Sequence, residues 1–485
     1  MNSSMKPEKQ SLMDDNPAKK DALGFDAYVE ILEASILATE SLPFTIGIFG
    51  DWGTGKTTLM NLLENKFKEK NGYKTIWINP WKYDTREDVR KVLIASILTQ
   101  LKVIYKKETK LISTLLREIA WTAADKGTSY ITAGLLSGTI ERVRDKLTSD
   151  KETELEFYNL FETKFKELIN TLVGEEGRLV IFIDDLDRCL PENAVTILES
   201  LKLFLNEPHC IFILGMDRKI IEHAIEIRYE RVKEEFSGLD YLDKIVQLPF
   251  FIPPIQYEKL RTYLKESTKL VSGYDANIWS LIDHGFGGNP RKVKRFVNCY
   301  YLLKKALETR TITEKYSGGF NAYDKNDKLF FLAKILIIRM RYPAFYDFLV
   351  SDNEALGYYD EAIQECIIPV GSDSGSPPTF KFINQAHKVL EEHPELKPYW
   401  EMEGLRKFLI NTRYGVGFPE TPSPDIIKYL LLLTGFIEGE TITFDPKKMS
   451  KVKLNKISST HSETISGATS YQSTATDSLG KTKKY

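Results

Sequence analysis

Five short apolar runs punctuate the first half of the chain: FTIGIF from Phe44, TIWIN from Thr75, LVIFID from Leu179, CIFILG from Cys210 and IVQLPFF from Ile245. Nearly every position in them is apolar, which suits strands covered on both faces, as in a parallel sheet. Helical periodicity fills the intervals. Phe157, Phe161, Phe165, Leu168 and Leu172 recur at spacings of 4, 4, 3 and 4 and mark the apolar stripe of a helix leading into the third run. Strands alternating with helices predict an α/β fold with right-handed crossovers and a doubly wound parallel sheet, its ligands lying beyond the carboxyl ends of the strands.

Two stretches break the alternation. Residues 107–150 are too long for one crossover, and GTSYITAGLLSGTI from Gly127 is uncharged but rich in Gly, Ser and Thr. A helical insertion packed on the domain and a segment in interfacial contact both fit it; it is too short and too polar to span hydrocarbon. After Ile255 the strand signals fade and helical patterns run through Tyr300, Phe331, Phe345, Leu390, Leu405 and Leu431. The expected division is a disordered tail at 1–20, an α/β domain at 21–255 carrying the 107–150 insertion, and a helical subdomain at 256–310. A C-terminal helical domain at 311–450, divided by the linker-like GSDSGSPP from Gly371, and a disordered Ser/Thr/Lys tail at 451–485 complete it. From Thr441 onward eight lysines face three acidic residues, which suits a solvated tail or a tether to phosphate or membrane.

Composition narrows the partners. A length of 485 residues leaves room for about three folded units. A formal charge of −2 supplies no global field, so a nucleic-acid partner would need a local patch. No run of about 18 apolar residues occurs and the first residues lack a signal-peptide core, so no membrane-spanning segment is expected. Four widely spaced cysteines without a CxxC point to a reducing, cytoplasmic setting.

The chemistry concentrates at the ends of the apolar runs. Gly50, Asp51, Trp52, Gly53, Thr54, Gly55, Lys56 and Thr57 match GxxxxGK[ST] in full, directly after the first run and before a helical pattern. The glycines let the loop curl so that backbone N–H groups point inward, and the following helix adds its positive end, forming a cradle for a polyphosphate. Lys56 is expected to reach the β and γ phosphates, the Thr57 hydroxyl to ligate Mg²⁺, and Thr58 to continue the first helical turn. The third run ends in Asp184, Asp185, Leu186, Asp187 and Arg188. Asp184 suits the carboxylate that a largely hydrated magnesium ion needs opposite Thr57. Asp185 is placed to orient or deprotonate the attacking water, or to give electrostatic support or cap a helix. Asp187 fits a cap on the helix near Pro191 better than a place in the metal shell. Arg188 fits a charge stabiliser or an ion pair with one of these aspartates. At the tip of the fourth run Arg218 is the candidate γ-phosphate sensor, or else a loop arginine paired with Asp217. Farther on, Asn289 and Pro290 suit the cap and first turn of a helix whose face carries Arg291, Lys292, Lys294 and Arg295.

Taken together, GDWGTGKTT, NPWKYD from Asn79, FIDDLDRC from Phe182, YLDKIVQLPF from Tyr241 and GNPRKVKRFVN from Gly288 resemble the KAP family of P-loop NTPases over roughly residues 21–300. The resemblance implies a strand order of 5-1-4-3-2 and kinship with STAND and AAA+ proteins, in which nucleotide state drives a helical lid and oligomerisation. It also implies that Pro290 lies on the adenine side and Arg291 near the phosphates as a second sensor. KAP proteins often carry transmembrane helices where residues 107–150 stand here; lacking that hydrophobicity, this chain resembles a member without them. Bacterial members are associated with phage exclusion, so the likeness suggests a defence role.

The expected function is an ATPase switch that uses ATP and Mg²⁺, with adenine favoured because no NKxD segment occurs; Asp324, Lys325, Asn326 and Asp327 have the wrong order. Such a switch would act through a homo-oligomer or a partner protein bound by the helical half. The alternatives are an ATP-binding scaffold with little hydrolysis and a DNA-linked ATPase resting on the basic run at 291–295.

Overall fold

The five apolar runs become five parallel strands in the computed structural model of the chain: β1 (Phe44–Phe49), β2 (Tyr73–Ile78), β3 (Arg178–Ile183), β4 (Cys210–Met216) and β5 (Leu248–Phe251). Their order is β2-β3-β4-β1-β5, the order that the family resemblance implies. The structure describes residues 12–18, 20–39, 42–83, 89–105, 113, 163, 165–174, 176–205, 209–230, 237–308, 323–370, 379–382, 387–413 and 418–435. Apart from residue 113, the expected insertion at 107–150 lies outside the described residues, as do Phe157, Phe161, the GSDSGSPP stretch and the tail at 451–485.

Because side chains alternate across a strand, the sheet separates two apolar layers. Ile46 and Ile48 of β1, Val180 and Phe182 of β3, and Ile211 and Ile213 of β4 pack with helices α1 (Asp26–Leu37) and α2 (Lys56–Lys68). Leu179, Ile181 and Ile183 of β3, with Phe212 and Leu214 of β4, pack with α3 (Val89–Ile104), residues 165–169, α4 (Pro191–Leu205) and α5 (Arg218–Tyr229). The Phe165 and Leu168 part of the sequence stripe is thus core. Continuous burial holds for the three central strands only. Edge strand β5 alternates between half-buried and exposed positions, and β2 is fully buried only at Ile76 and Ile78. The run from Ile245 forms a strand only from Leu248, and Pro249, which lacks a ladder donor, sits on that edge strand where the missing donor is tolerated. A short helix α6 (Gly238–Asp243) precedes it, and α7 (Tyr257–Ser267), α8 (Ala276–Phe286) and α9 (Pro290–Glu308) follow.

The chain divides into two compact units, one comprising Met1–Gly273 with Phe286–Asn298, the other Tyr274–Gly285 with Cys299–Tyr485. The second is built around α10 (Lys325–Arg341), whose residues Leu329–Ile338 are all buried, as a helix enclosed by others must be. Around it come α11 (Pro343–Ser351), α12 (Ala355–Glu365), α13 (His387–Glu392), α14 (Lys397–Glu401), α15 (Glu403–Asn411) and α16 (Pro424–Gly435). This half is not purely helical. Strands β6 (Ile367–Val370) and β7 (Thr379–Phe382), which flank the Gly/Ser/Pro stretch expected to act as a linker, pair antiparallel. Such a stretch between two short apolar runs suits a hairpin as well as a linker.

Candidate nucleotide-binding site

The loop from Gly50 to Gly55 leaves the end of β1 and enters α2. Gly50 N–H donates to Met216 O at the end of β4 (3.4 Å), and Thr54 closes the turn by donating its hydroxyl to Asp51 O (2.8 Å). Gly53 and Gly55 have φ of 84° and 104°, a left-handed backbone that penalises a side chain. A Cβ at Gly53 would also lie 2.5 Å from the Arg291 side chain. Lys56 is buried, with its ammonium donating to Gly50 O (2.7 Å) and Asp51 O (3.3 Å) and lying 3.4 Å from Asp187 Oδ2. The lysine therefore folds back over its own loop.

The tip of β3 supplies the carboxylates. Asp184 is 2% exposed. Burial pushes its carboxyl up to about 6, reinforced by the Asp185 charge and opposed by Thr57, the Asp185 amide and the Lys56 ammonium. Asp185 takes a left-handed φ of 60°, rare for a residue with a side chain and characteristic of functional turns. Both its oxygens are engaged: Asn79 at the end of β2 donates to Oδ2 (2.7 Å), and Arg188 Nε lies 2.9 Å from Oδ1. The Arg188 guanidinium also lies over the Trp81 ring, 5.3 Å from its centroid. Arg188 is therefore in the aspartate ion pair that was one of its two sequence readings.

Asp187 is not the expected cap. It is 4% exposed, and its Oδ2 accepts from Trp52 Nε1 (2.9 Å) and from Asp217 N–H (2.8 Å), while Oδ1 has no hydrogen-bond partner. A short 3₁₀ turn over Leu186–Arg188 carries the carboxylate toward the P-loop and away from Pro191. Arg218 does not join the residues lining the cleft. It pairs with Glu222 one helical turn on and lies over Phe49 and Phe251, while Asp217 caps α5 through Lys219 N–H.

The opposite wall comes from α7, α9 and the chain's beginning. Asn289 caps α9 through Lys292 N–H (3.1 Å) and donates to Trp52 O (3.0 Å), tying the GNPR block to the P-loop. Pro290, Arg291, Lys294 and Tyr263 line the cleft with Asp15–Ala18 and Phe25. Of the tail expected to be disordered, residues 12–18 are described and make contacts with the rest of the site. Met13 and Asn298 exchange two hydrogen bonds (2.9 and 2.8 Å), Ala18 N–H donates to Thr58 Oγ1 (3.3 Å), and Asp15 lies 3.8 Å from Arg291. Three participants escaped the sequence reading: Asn79, Asn289 in its contact to Trp52, and Asp187 as a brace. A polar residue closing an apolar run, as Asn79 closes TIWIN, is the signal that identifies the first.

Residues 25–306 match the KAP family P-loop domain. The chain belongs to that family. It is 24% identical over 364 residues to the phage T7 exclusion protein of Escherichia coli K12, a match that covers 68% of this chain and 46% of that protein. The chain thus spans less than half the length of this relative. It is also 27% identical over 106 residues to the human kinase D-interacting substrate of 220 kDa, covering 21% of this chain and 6% of that protein. Among solved structures, Aeropyrum pernix ORC2 (12% identity, TM-score 0.32, 85% and 93% of the two chains) and Cdc6p from Pyrobaculum aerophilum (12%, 0.36, 86% and 95%) are similar. Among the described residues no helix of this KAP chain is long and apolar enough to cross a membrane.

Among the described residues no group of three or more His, Cys, Asp or Glu side chains is placed to hold a metal ion, so a cation here would complete its shell with water and phosphate oxygens. Asp184 Oδ1, Asp187 Oδ1 and Asn79 Oδ1 are buried acceptors without a protein donor, and a hydrated hard cation brings water donors along with its charge.

Proposed function

We propose that the chain binds ATP with Mg²⁺ and hydrolyses it, using nucleotide state to switch its conformation or oligomeric state. The observation that carries this reading is the place of Asp184, whose Oδ1 is buried and unpartnered, where Thr57 and Lys56 both favour its charged form. Thr57 and Asp184 would hold Mg²⁺, which neutralises charge on the β and γ phosphates when bound. Lys56 would leave the Gly50 and Asp51 carbonyls for phosphate oxygens. Asp185 would take a proton from the attacking water once Arg188 has released it, and Arg188 would then stabilise charge on the phosphate. Arg218 would serve as a sensor only after leaving Glu222. Pro290 would flank adenine and Arg291 approach the phosphates.

The domain boundaries at 255, 310 and 450 belong to the same proposal, as does partner binding by the helical half. A role in phage defence is supported by the name of the Escherichia coli relative. A cytoplasmic site is supported by four widely spaced cysteines without a CxxC. Single-turnover release of phosphate from Mg·ATP tests the proposal: release by the wild type and none by Lys56→Ala is expected, and equal release by both contradicts it.

One observation favours the scaffold alternative. With Asp185 held by both Asn79 and Arg188, the proposed base is not free to take a proton in this arrangement. Absence of phosphate release under every nucleotide and metal condition, with binding intact, would select the scaffold. The DNA-linked reading is weakened because Arg291 and Lys294 line the cleft; salt-dependent DNA affinity would revive it.

A further inference from the structure

A single oxygen joins three parts of the site. Asp187 Oδ2 accepts from the Trp52 indole of the P-loop (2.9 Å) and from Asp217 N–H at the end of β4 (2.8 Å), and lies 3.4 Å from the Lys56 ammonium. The Asp187 and Lys56 side chains are 1% and 8% exposed. The other hydrogen-bond partners of that ammonium are neutral main-chain carbonyls. A buried cation needs a counter-charge, and removing it leaves the remaining charge uncompensated. Asp184 is a second carboxylate within electrostatic reach of Lys56, but the ion pair of the ammonium is with Asp187, at 3.4 Å.

We propose that Asp187 is a positioning residue that parks the Lys56 ammonium while the loop is empty and yields it to the phosphates when nucleotide binds. The proposal rests on the nucleotide-binding reading above. Asp187 and the phosphates compete for one cation, so weakening the first should strengthen the second. Trp52, held through its indole by Asp187 and through its carbonyl by Asn289, reports the exchange.

Asp187→Asn keeps the side chain's size and an acceptor oxygen but removes its charge. Calorimetric titration with Mg·ADP and with a nonhydrolysable ATP analogue should show Kd falling by about tenfold or more relative to wild type. Nucleotide should also raise the Tm of the variant more than that of wild type, because ligand then supplies the missing counter-charge. A brace without a parking role gives the opposite sign, since loosening the loop weakens binding. An unchanged or raised Kd overturns the proposal. So does a gain matched by Asp51→Asn, which removes a charge from the same loop. Should Asp187→Asn fail to fold, fluorine NMR of wild type labelled with 5-fluorotryptophan gives an independent answer, the Trp52 signal being assigned with Trp52→Phe. Saturating analogue should shift that signal, and an unmoved signal overturns the proposal. No nucleotide binding by wild type overturns this inference and the nucleotide reading together; binding with no change in Asp187→Asn overturns this inference alone.

Discussion

Asp185 combines a left-handed backbone with a carboxylate engaged on both oxygens, so its present partners limit its chemistry more than its place in the motif does. Asp185→Asn should keep the affinity for a nonhydrolysable ATP analogue and slow single-turnover hydrolysis by about 10²–10⁴-fold, the usual contribution of a general base. Unaltered turnover would exclude it from that role. Asp184 gives a pH signature. Its carboxyl is raised from 3.8 to about 6, so between these values the native protein holds a proton that the unfolded chain has lost. This group's contribution to stability therefore falls as pH rises through that window. A cation needs the ionised form, so the Mg²⁺-dependent gain in nucleotide affinity should grow as pH passes about 6. Asp184→Asn should lose that growth, which calorimetry at several pH values would detect. At this scale Lys56, Thr57 and Asp184 were legible because a short motif carries them. The roles of Asn79 and Asp187 were not, because each depends on a neighbour more than 100 residues away: Asn79 meets Asp185, and Asp187 meets Trp52.

Helix α10 shows what one element can conceal. Its apolar run Leu329–Ile338 contains Lys334, which is buried and donates to Thr412 O in a short hydrogen bond (2.5 Å). Burial pushes its ammonium down to about 7 from 10.5, with Asp360 opposing the shift. Between these values the unfolded chain holds more protons, so this lysine makes stability rise with pH from about 7 toward 10.5. Lys334→Met should remove that slope and leave Tm at neutral pH unchanged or a few degrees higher, because an apolar side chain of similar length avoids the cost of burying charge. A thermal melt series settles it; a large loss of Tm at neutral pH would mean that the lysine's hydrogen bond outweighs its burial cost. The central strands could be read from continuous apolar runs because both faces are covered. The edge strands could not be read so closely, since TIWIN and IVQLPFF look similar whether a strand has two neighbours or one. The β6–β7 pair was hidden for a related reason: four-residue strands carry too few positions to establish a period.

For the whole molecule, the nucleotide cleft carries a chemical direction that a net charge of −2 does not supply. Moving a two-state population from 1:99 to 99:1 takes about 5.5 kcal/mol of differential binding, which a triphosphate contacted in only one state would supply. Arg188 and Arg218 are both held by acidic partners, Asp185 and Glu222, and both would change partners in such a switch. Light scattering with and without a nonhydrolysable ATP analogue would register an accompanying change of assembly; identical mass in both conditions would confine the switch to single chains. The fold class and strand order followed from the sequence and its family resemblance, whereas the contact of residues 13–18 with the cleft did not, since MDDNPA has no periodicity. The most direct measurement is calorimetric titration of ATP into wild type, Lys56→Ala and Asp184→Asn, each with and without Mg²⁺. Binding that strengthens with Mg²⁺ in wild type, disappears in Lys56→Ala and loses its metal dependence in Asp184→Asn is expected. Equal affinity in all three proteins, or none in wild type, would contradict joint capture of a metal and a triphosphate by the P-loop and the tip of β3.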